Sequence, residues 1–101
     1  MKVITVCGSY RFEAEMKQIA ECMALQGNCM LTPVDLTRPD KSSYTAAELA
    51  LLGEEHKQKI KLSDAILVVN VGGYIGSATC GEIVYAEALG KEILYYTDLI
   101  E

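Results

Sequence analysis

The stretch from Gly72 to Ala86, "GGYIGSATCGEIVYA", sets a run of glycines, a serine and a threonine ahead of a single glutamate, Glu82, that opens an apolar segment. Two chemistries are open to such a carboxylate. With Thr79 three residues earlier it reads as a T-x-x-E capping box, the carboxylate accepting from the Thr79 backbone N–H. At the mouth of a crevice it reads instead as a nucleophile able to form a covalent intermediate. On residue types alone the cap is the commoner explanation, because capping boxes are frequent and catalytic carboxylates few.

A second short stretch carries matching chemistry. In "GSYR", Gly8 and Ser9 offer backbone and hydroxyl donors, and Arg11 offers a guanidinium suited to bidentate contact with a phosphate or carboxylate. Gly73, Gly76, Ser77 and Thr79 can do the same from the longer loop. Tyr10 and Tyr74 can stack on a base or a sugar. Glycines let backbone N–H groups face a ligand, and a helix N-terminus adds partial positive charge, so together the two loops suit a small anionic or sugar-bearing ligand. Asp35, in the loop after the second apolar run, is either a further crevice residue or a solvated loop aspartate.

His56 is the chain's one histidine. It reads either as a proton donor titrating near neutrality or as a core residue whose nitrogens are satisfied locally. Cys7, Cys22, Cys29 and Cys80 form no C-x-x-C pair, so their spacing gives no zinc or redox motif, and no metal or cofactor is expected. Cys80 lies beside Glu82, but no histidine neighbours it in sequence to activate it.

The elements that must position these groups follow from the apolar pattern. Lys2 to Cys7 is a β-branched run too short for a helix and reads as a buried strand. A helix over Phe12 to Leu25 places Phe12, Met16, Ile19, Ala20 and Met23 on one face, with Gly27 where a C-terminal cap belongs. Cys29 to Val34 is a second strand, followed by the polar loop "DLTRPDKSS". Thr45 and Glu48 form a capping box that opens a helix with Leu49, Leu52, His56 and Ile60 on one side. Ala65 to Val71 is the central strand, Thr79 to Leu89 a third helix, and "KEILYY" a fourth strand. Alternating strands and helices predict an α/β fold with right-handed parallel crossovers: a small flavodoxin-like, Rossmannoid sheet, ordered 2-1-3-4, with helices on both faces. The order reverses between strands 1 and 3, which puts the ligand crevice above them, where the two loops lie.

At 101 residues, half of them hydrophobic, the chain reads as a single domain spanning 1–101. A formal net charge of −5 has the wrong sign for gripping a nucleic-acid polymer through its phosphates. No apolar run reaches membrane-spanning length and no basic leader precedes the first strand, so the expectation is a cytoplasmic protein with no membrane partner.

Several segments resemble the nucleoside 2-deoxyribosyltransferase-like superfamily, including the 2'-deoxynucleoside 5'-monophosphate N-glycosidases. "VCGSYR" looks like their strand-1 loop, "SDAILVVN" like their central strand, and "GEIVYAEALGKEILYY" like their "E-hydrophobic-G-x-A" helix and final strand. The resemblance implies that Glu82 is the family's nucleophile. It attacks C1' of a deoxyribose as the base leaves, and water or a second base resolves the glycosyl ester. It implies too that Ser9, Arg11 and Ser77 hold a 5'-phosphate or 5'-hydroxyl while Tyr10 or Tyr74 flanks the base or sugar. Two positions depart from the family pattern: Thr5 stands where a strand-1 tyrosine is usual, and His56 where an aspartate assists the leaving base. Folds of this kind often dimerise with a neighbour completing the pocket, so a homodimer is expected.

Two other functions fit the same residues. One is a non-catalytic nucleotide-binding sensor in which Glu82 serves as a cap or binds a ribose hydroxyl. The other is a phosphoribohydrolase of the cytokinin-activating type, whose "GGxGTxxE" partly resembles "GGYIGSATCGE", although that family has a longer chain and an additional arginine.

Overall fold

The computed structural model describes residues 1–100. Four parallel strands, β1 (Val3–Cys7), β2 (Cys29–Leu31), β3 (Ala65–Val68) and β4 (Glu92–Tyr95), form one sheet in the order β2-β1-β3-β4. Three long helices connect them: α1 (Glu13–Leu25), α2 (Ala46–Leu62) and α3 (Ser77–Ala88). A last turn of helix, α4 (Tyr96–Leu99), follows β4 directly and has no counterpart among the elements expected from the sequence.

Side-chain alternation along the strands divides the core in two. Ile4, Val6, Ala65, Leu67 and Val69 face α1, where Met16, Ile19, Ala20 and Met23 supply the apolar stripe. Cys7, Ile66 and Val68 face the other way, against Ile60 of α2 and Ala86 of α3. Every residue of β3 is buried, as expected of a central strand covered on both faces. Register pairs Cys7 with Val68, so β1 and β3 end side by side, and their exit loops lie together.

Strand lengths are shorter than the apolar runs. β2 stops at Leu31, because Pro33 has no N–H for a ladder; the Thr32 carbonyl is taken by Lys59 Nζ at 2.8 Å. β3 stops at Val68, and Asn70 turns instead to Thr97, accepting from its backbone N–H at 3.2 Å and donating to its Oγ1 at 3.1 Å. The chain then reverses through a 3₁₀ turn, Val71–Gly73, in which Gly72 (φ 62°) and Gly73 (φ 84°) take the left-handed conformation that a side chain disfavours.

The two T-x-x-E sequences behave differently. At α2 the box forms: the Thr45 hydroxyl accepts from the Glu48 N–H at 3.1 Å, and Glu48 accepts from the Thr45 N–H at 2.9 Å. Arg38 adds a two-point contact at 3.0 and 2.7 Å, and these donors hold the Glu48 carboxyl down at about 2. At α3 no box forms, because the helix begins at Ser77 with Gly76 as its N-cap. Thr79 is already in the first turn with its side chain buried. Glu82 therefore lies in the second turn, beyond reach of the free N–H groups.

On α2, His56 and Ile60 are buried as their spacing predicts, but Leu49, expected on the same inner face, is 49% exposed. Seventeen residues of helix run about 25 Å, whereas the four-residue β3 spans about 13 Å, so the first turns of α2, farthest along the chain from β3, extend past the strand ends.

Two glycines test this packing. A Cβ on Gly8 would sit 3.2 Å from Met16 Sδ and 3.3 Å from both Cβ and the carbonyl oxygen of Val69, and the strand backbone cannot retreat. Gly53, inside α2, has open space around it. Gly8→Ala is expected to lose roughly 1–3 kcal/mol in urea denaturation, while Gly53→Ala gains about 1 kcal/mol.

Candidate active site

Where β1 and β3 end, the two exit loops and the start of α3 enclose an open cleft of about 410 Å³. The β1 loop contributes Gly8, Ser9 and Tyr10. The other wall is Tyr74 and the first turn of α3, Gly76 to Thr79, and His56 and Glu82 close the inner end. Nine of the twelve residues singled out from the sequence thus line one cavity, joined by Pro33 and Ala78.

The other three lie outside the lining. The Arg11 guanidinium stacks on the Tyr74 ring, 4.4 Å from its centroid, while Phe12 meets the same ring edge-on at 5.9 Å. Arg11 and Phe12 thus brace an aromatic wall from behind. Gly73 belongs to the 3₁₀ turn. Asp35 borders a separate hollow of about 200 Å³ with Glu13 and Lys17 on the far side of Tyr10, whose hydroxyl donates to the Val34 carbonyl at 3.0 Å.

The first turn of α3 offers the cleft its backbone. Gly76 has no side chain to cap the helix, and no acidic residue stands in the first turn. The N–H groups of Ser77, Ala78 and Thr79 precede the first intrahelical bond, which runs from Cys80 N–H to the Gly76 carbonyl at 3.0 Å. Free amides and the positive end of the helix dipole point at the same space as Ser9, which suits an anionic oxygen.

At the inner end, Glu82 is buried except for 22% of its side chain. Its Oε2 lies 3.7 Å from His56 Nε2, too far for a hydrogen bond, and the same nitrogen is 3.4 Å from Cys7 Sγ. Burial pushes the Glu82 carboxyl up to about 7, against a smaller lowering from its hydrogen bond with the Cys7 thiol. Burial pulls the His56 imidazole below its usual value, Lys59 adding to the effect and Glu55 opposing it. It drives the Cys7 thiol well above its ordinary range, with the Glu82 charge and hydrogen bond adding to the rise. His56 Nε2 lies beside Cys7 Sγ, and buried Nδ1 has no hydrogen-bond partner among the described residues.

Cys7 is the member of this cluster that the sequence pattern does not announce. Cys80 is the cysteine beside Glu82 in sequence, yet it is exposed and stands outside the cluster. The usable signal is positional: Cys7 ends strand 1 at the point where the strand order reverses. Thr5, two residues earlier on the same face, is fully buried with its hydroxyl 2.5 Å from that of Ser63, which itself donates to the Lys59 carbonyl at 2.8 Å. It ties β1 to the end of α2 and does not reach the cleft.

No family model matches the sequence, and no curated protein matches it. Solved structures do. A 2-deoxyribosyltransferase from Leishmania mexicana superposes with a TM-score of 0.68 at 23% identity, over 95% of this chain and 64% of that one. A 2-deoxyribosyltransferase from the psychrotolerant bacterium Bacillus psychrosaccharolyticus gives 0.63 at 15% identity, over 92% of this chain and 70% of its own. The likeness is one of fold, and this chain spans less than two thirds of the length of the Leishmania protein.

The raised Glu82 value has a stability consequence whose sign is fixed. Above an ordinary carboxyl value of 4.5 the unfolded chain ionises Glu82, while the folded chain keeps the proton up to about 7. The folded state binds more protons in that window, so stability falls as pH rises through it. Glu82→Gln, which cannot ionise, escapes the loss, and His56 is common to both chains. The whole shift corresponds to about 3 kcal/mol; with the side chain still touching cleft water, the advantage of Glu82→Gln at pH 8 over that at pH 5 is expected to be roughly 1–2 kcal/mol. Urea denaturation at the two pH values measures it, and an equal difference at both would mean a solvated carboxylate.

Proposed function

We propose that this chain, whose fold is nucleoside 2-deoxyribosyltransferase-like, cleaves or transfers at the N-glycosidic bond of a deoxynucleoside or its 5'-monophosphate. Glu82 is the nucleophile. The observation that carries this reading is a carboxyl withdrawn from water at the inner end of a sugar-sized cleft whose other walls are free helix amides, hydroxyls and two aromatic rings. The capping alternative has lost its geometry, since α3 starts too early for Glu82 to cap it.

In this mechanism Ser9, Ser77 and the amides of the first α3 turn take the 5' oxygen or phosphate, and Tyr10 and Tyr74 flank the base or sugar. Arg11 acts through Tyr74, by stacking on it. Burial raises the Glu82 carboxyl to about 7 and lowers the His56 imidazole, so near neutrality the carboxyl is a proton source beside a neutral imidazole. Glu82 gives its proton to His56 Nε2, and the carboxylate stabilises the oxocarbenium-like sugar and then bonds to C1' as the C1'–N bond breaks. The imidazolium returns that proton to the departing base. Water, passing one proton to His56 or Glu82, or a second base then attacks C1' as the C1'–O bond to Glu82 breaks.

A second copy of the chain fits this scheme as part of the pocket. The groove between α2 and α3, lined by Gly53, Ala78, Gly81, Val84 and Tyr85, also reaches Glu82, and a homodimer would close it.

Chromatographic detection of free base from a panel of deoxynucleosides and their 5'-monophosphates tests the reading. Base release is expected from at least one member and should fall by about 10³-fold or more in Glu82→Ala. Binding without release by the folded protein would move the assignment to a nucleotide sensor.

A further inference from the structure

Cys7 from β1, His56 from α2 and Glu82 from α3 bring a thiol sulfur, an imidazole nitrogen and a carboxylate oxygen within 4.8 Å of one another. We propose that this cluster is a binding site for a borderline-soft divalent metal, Zn²⁺ foremost, held by Cys7 Sγ, His56 Nε2 and a Glu82 oxygen, with a fourth position facing the cleft.

The distances carry the argument. A four-coordinate zinc has Zn–S near 2.3 Å and Zn–N or Zn–O of about 2.0–2.2 Å, so neighbouring donors around it stand about 3.3–3.6 Å apart. Here Sγ to Nε2 is 3.4 Å and Nε2 to Oε2 is 3.7 Å. The third separation, Sγ to a Glu82 oxygen, lies within 4.8 Å, and a swing of the carboxylate toward the sulfur by up to roughly an ångström closes the set. Sulfur with imidazole nitrogen selects zinc-like ions over Mg²⁺ and Ca²⁺, which demand oxygen. His56 and Glu82 line the cleft, which supplies the entry path and the open fourth position.

The spacing of cysteines and histidine in the chain hides this site, because its three donors are 49 and 26 residues apart and come from separate elements. Binding forms bonds to sulfur, nitrogen and oxygen and sends the Cys7 thiol proton, with any proton on Glu82, to solvent; no electrons are transferred. An occupied site ties up the carboxylate that would attack a sugar carbon. Zinc and glycosyl chemistry therefore exclude each other, and the metal acts as an inhibitor.

Co²⁺ titration of the reduced protein, with no nucleoside present, tests the site separately from the enzymatic reading. One equivalent is expected to give the near-ultraviolet charge-transfer band of a cobalt thiolate and the intense visible bands of four-coordinate Co²⁺, both abolished by one equivalent of Zn²⁺. Cys7→Ser should lose the charge-transfer band, and Glu82→Gln, which keeps the side-chain shape, should weaken binding by at least about tenfold, given that removing even an outer partner of a ligand costs about that much. Circular dichroism confirms the fold of each variant, and Glu82→Gln serves if Cys7→Ser does not fold. Absence of a thiolate band in the parent chain, its survival in folded Cys7→Ser, or unchanged affinity in Glu82→Gln would overturn the proposal.

Discussion

One desolvated carboxyl organises the chemistry of this molecule. Glu82 is held away from water because β1 and β3 end together and α2 and α3 pack over that junction, leaving the side chain open only toward the cleft and the groove between α2 and α3. A carboxyl there is costly to ionise without a compensating charge. Among the described residues, the titratable groups placed against it are an imidazole and a thiol that burial has also kept neutral. Three groups that would each prefer water are thus packed into one largely buried corner at the inner end of the cleft.

The sheet dictates that corner. Parallel pairing of Ile4 with Ala65 through Cys7 with Val68 fixes which strand ends lie level. The face-alternation of β1 then sends Val6 toward α1 and Cys7 toward α2 and α3. Gly8 follows where Met16 and Val69 would crowd a Cβ, and Ser9 and Tyr10 after it line the cleft. A shift of one residue in β1 would carry Cys7 to the opposite face and dismantle the cluster, along with the two cores that share the strand.

Much of this is legible in the sequence. Period and capping signals locate the strands, the helices and the sheet order, and the rule that ligands sit where strand order reverses brings nine of the candidate residues to one cavity. What escapes is decided by tertiary geometry. Thr79 and Glu82 have the spacing of a cap, and only the packing of Thr79 inside the first turn shows that α3 starts two residues sooner. Packing that no sequence pattern announces sets Arg11 on the Tyr74 ring and outside the cleft lining. Cys7 has no neighbour in sequence to announce its role, since its partners arrive through the fold.

The bare start of α3 also matters to anyone who would engineer the chain. A serine or aspartate in place of Gly76 would satisfy amides that now stand open, and this usual remedy for a weak helix start would fill the cleft's anion-facing wall with the protein's own oxygen. Sequence optimisation for robustness and retention of the pocket therefore pull in opposite directions at this residue, while the overhanging first half of α2 offers room to harden the scaffold without that conflict.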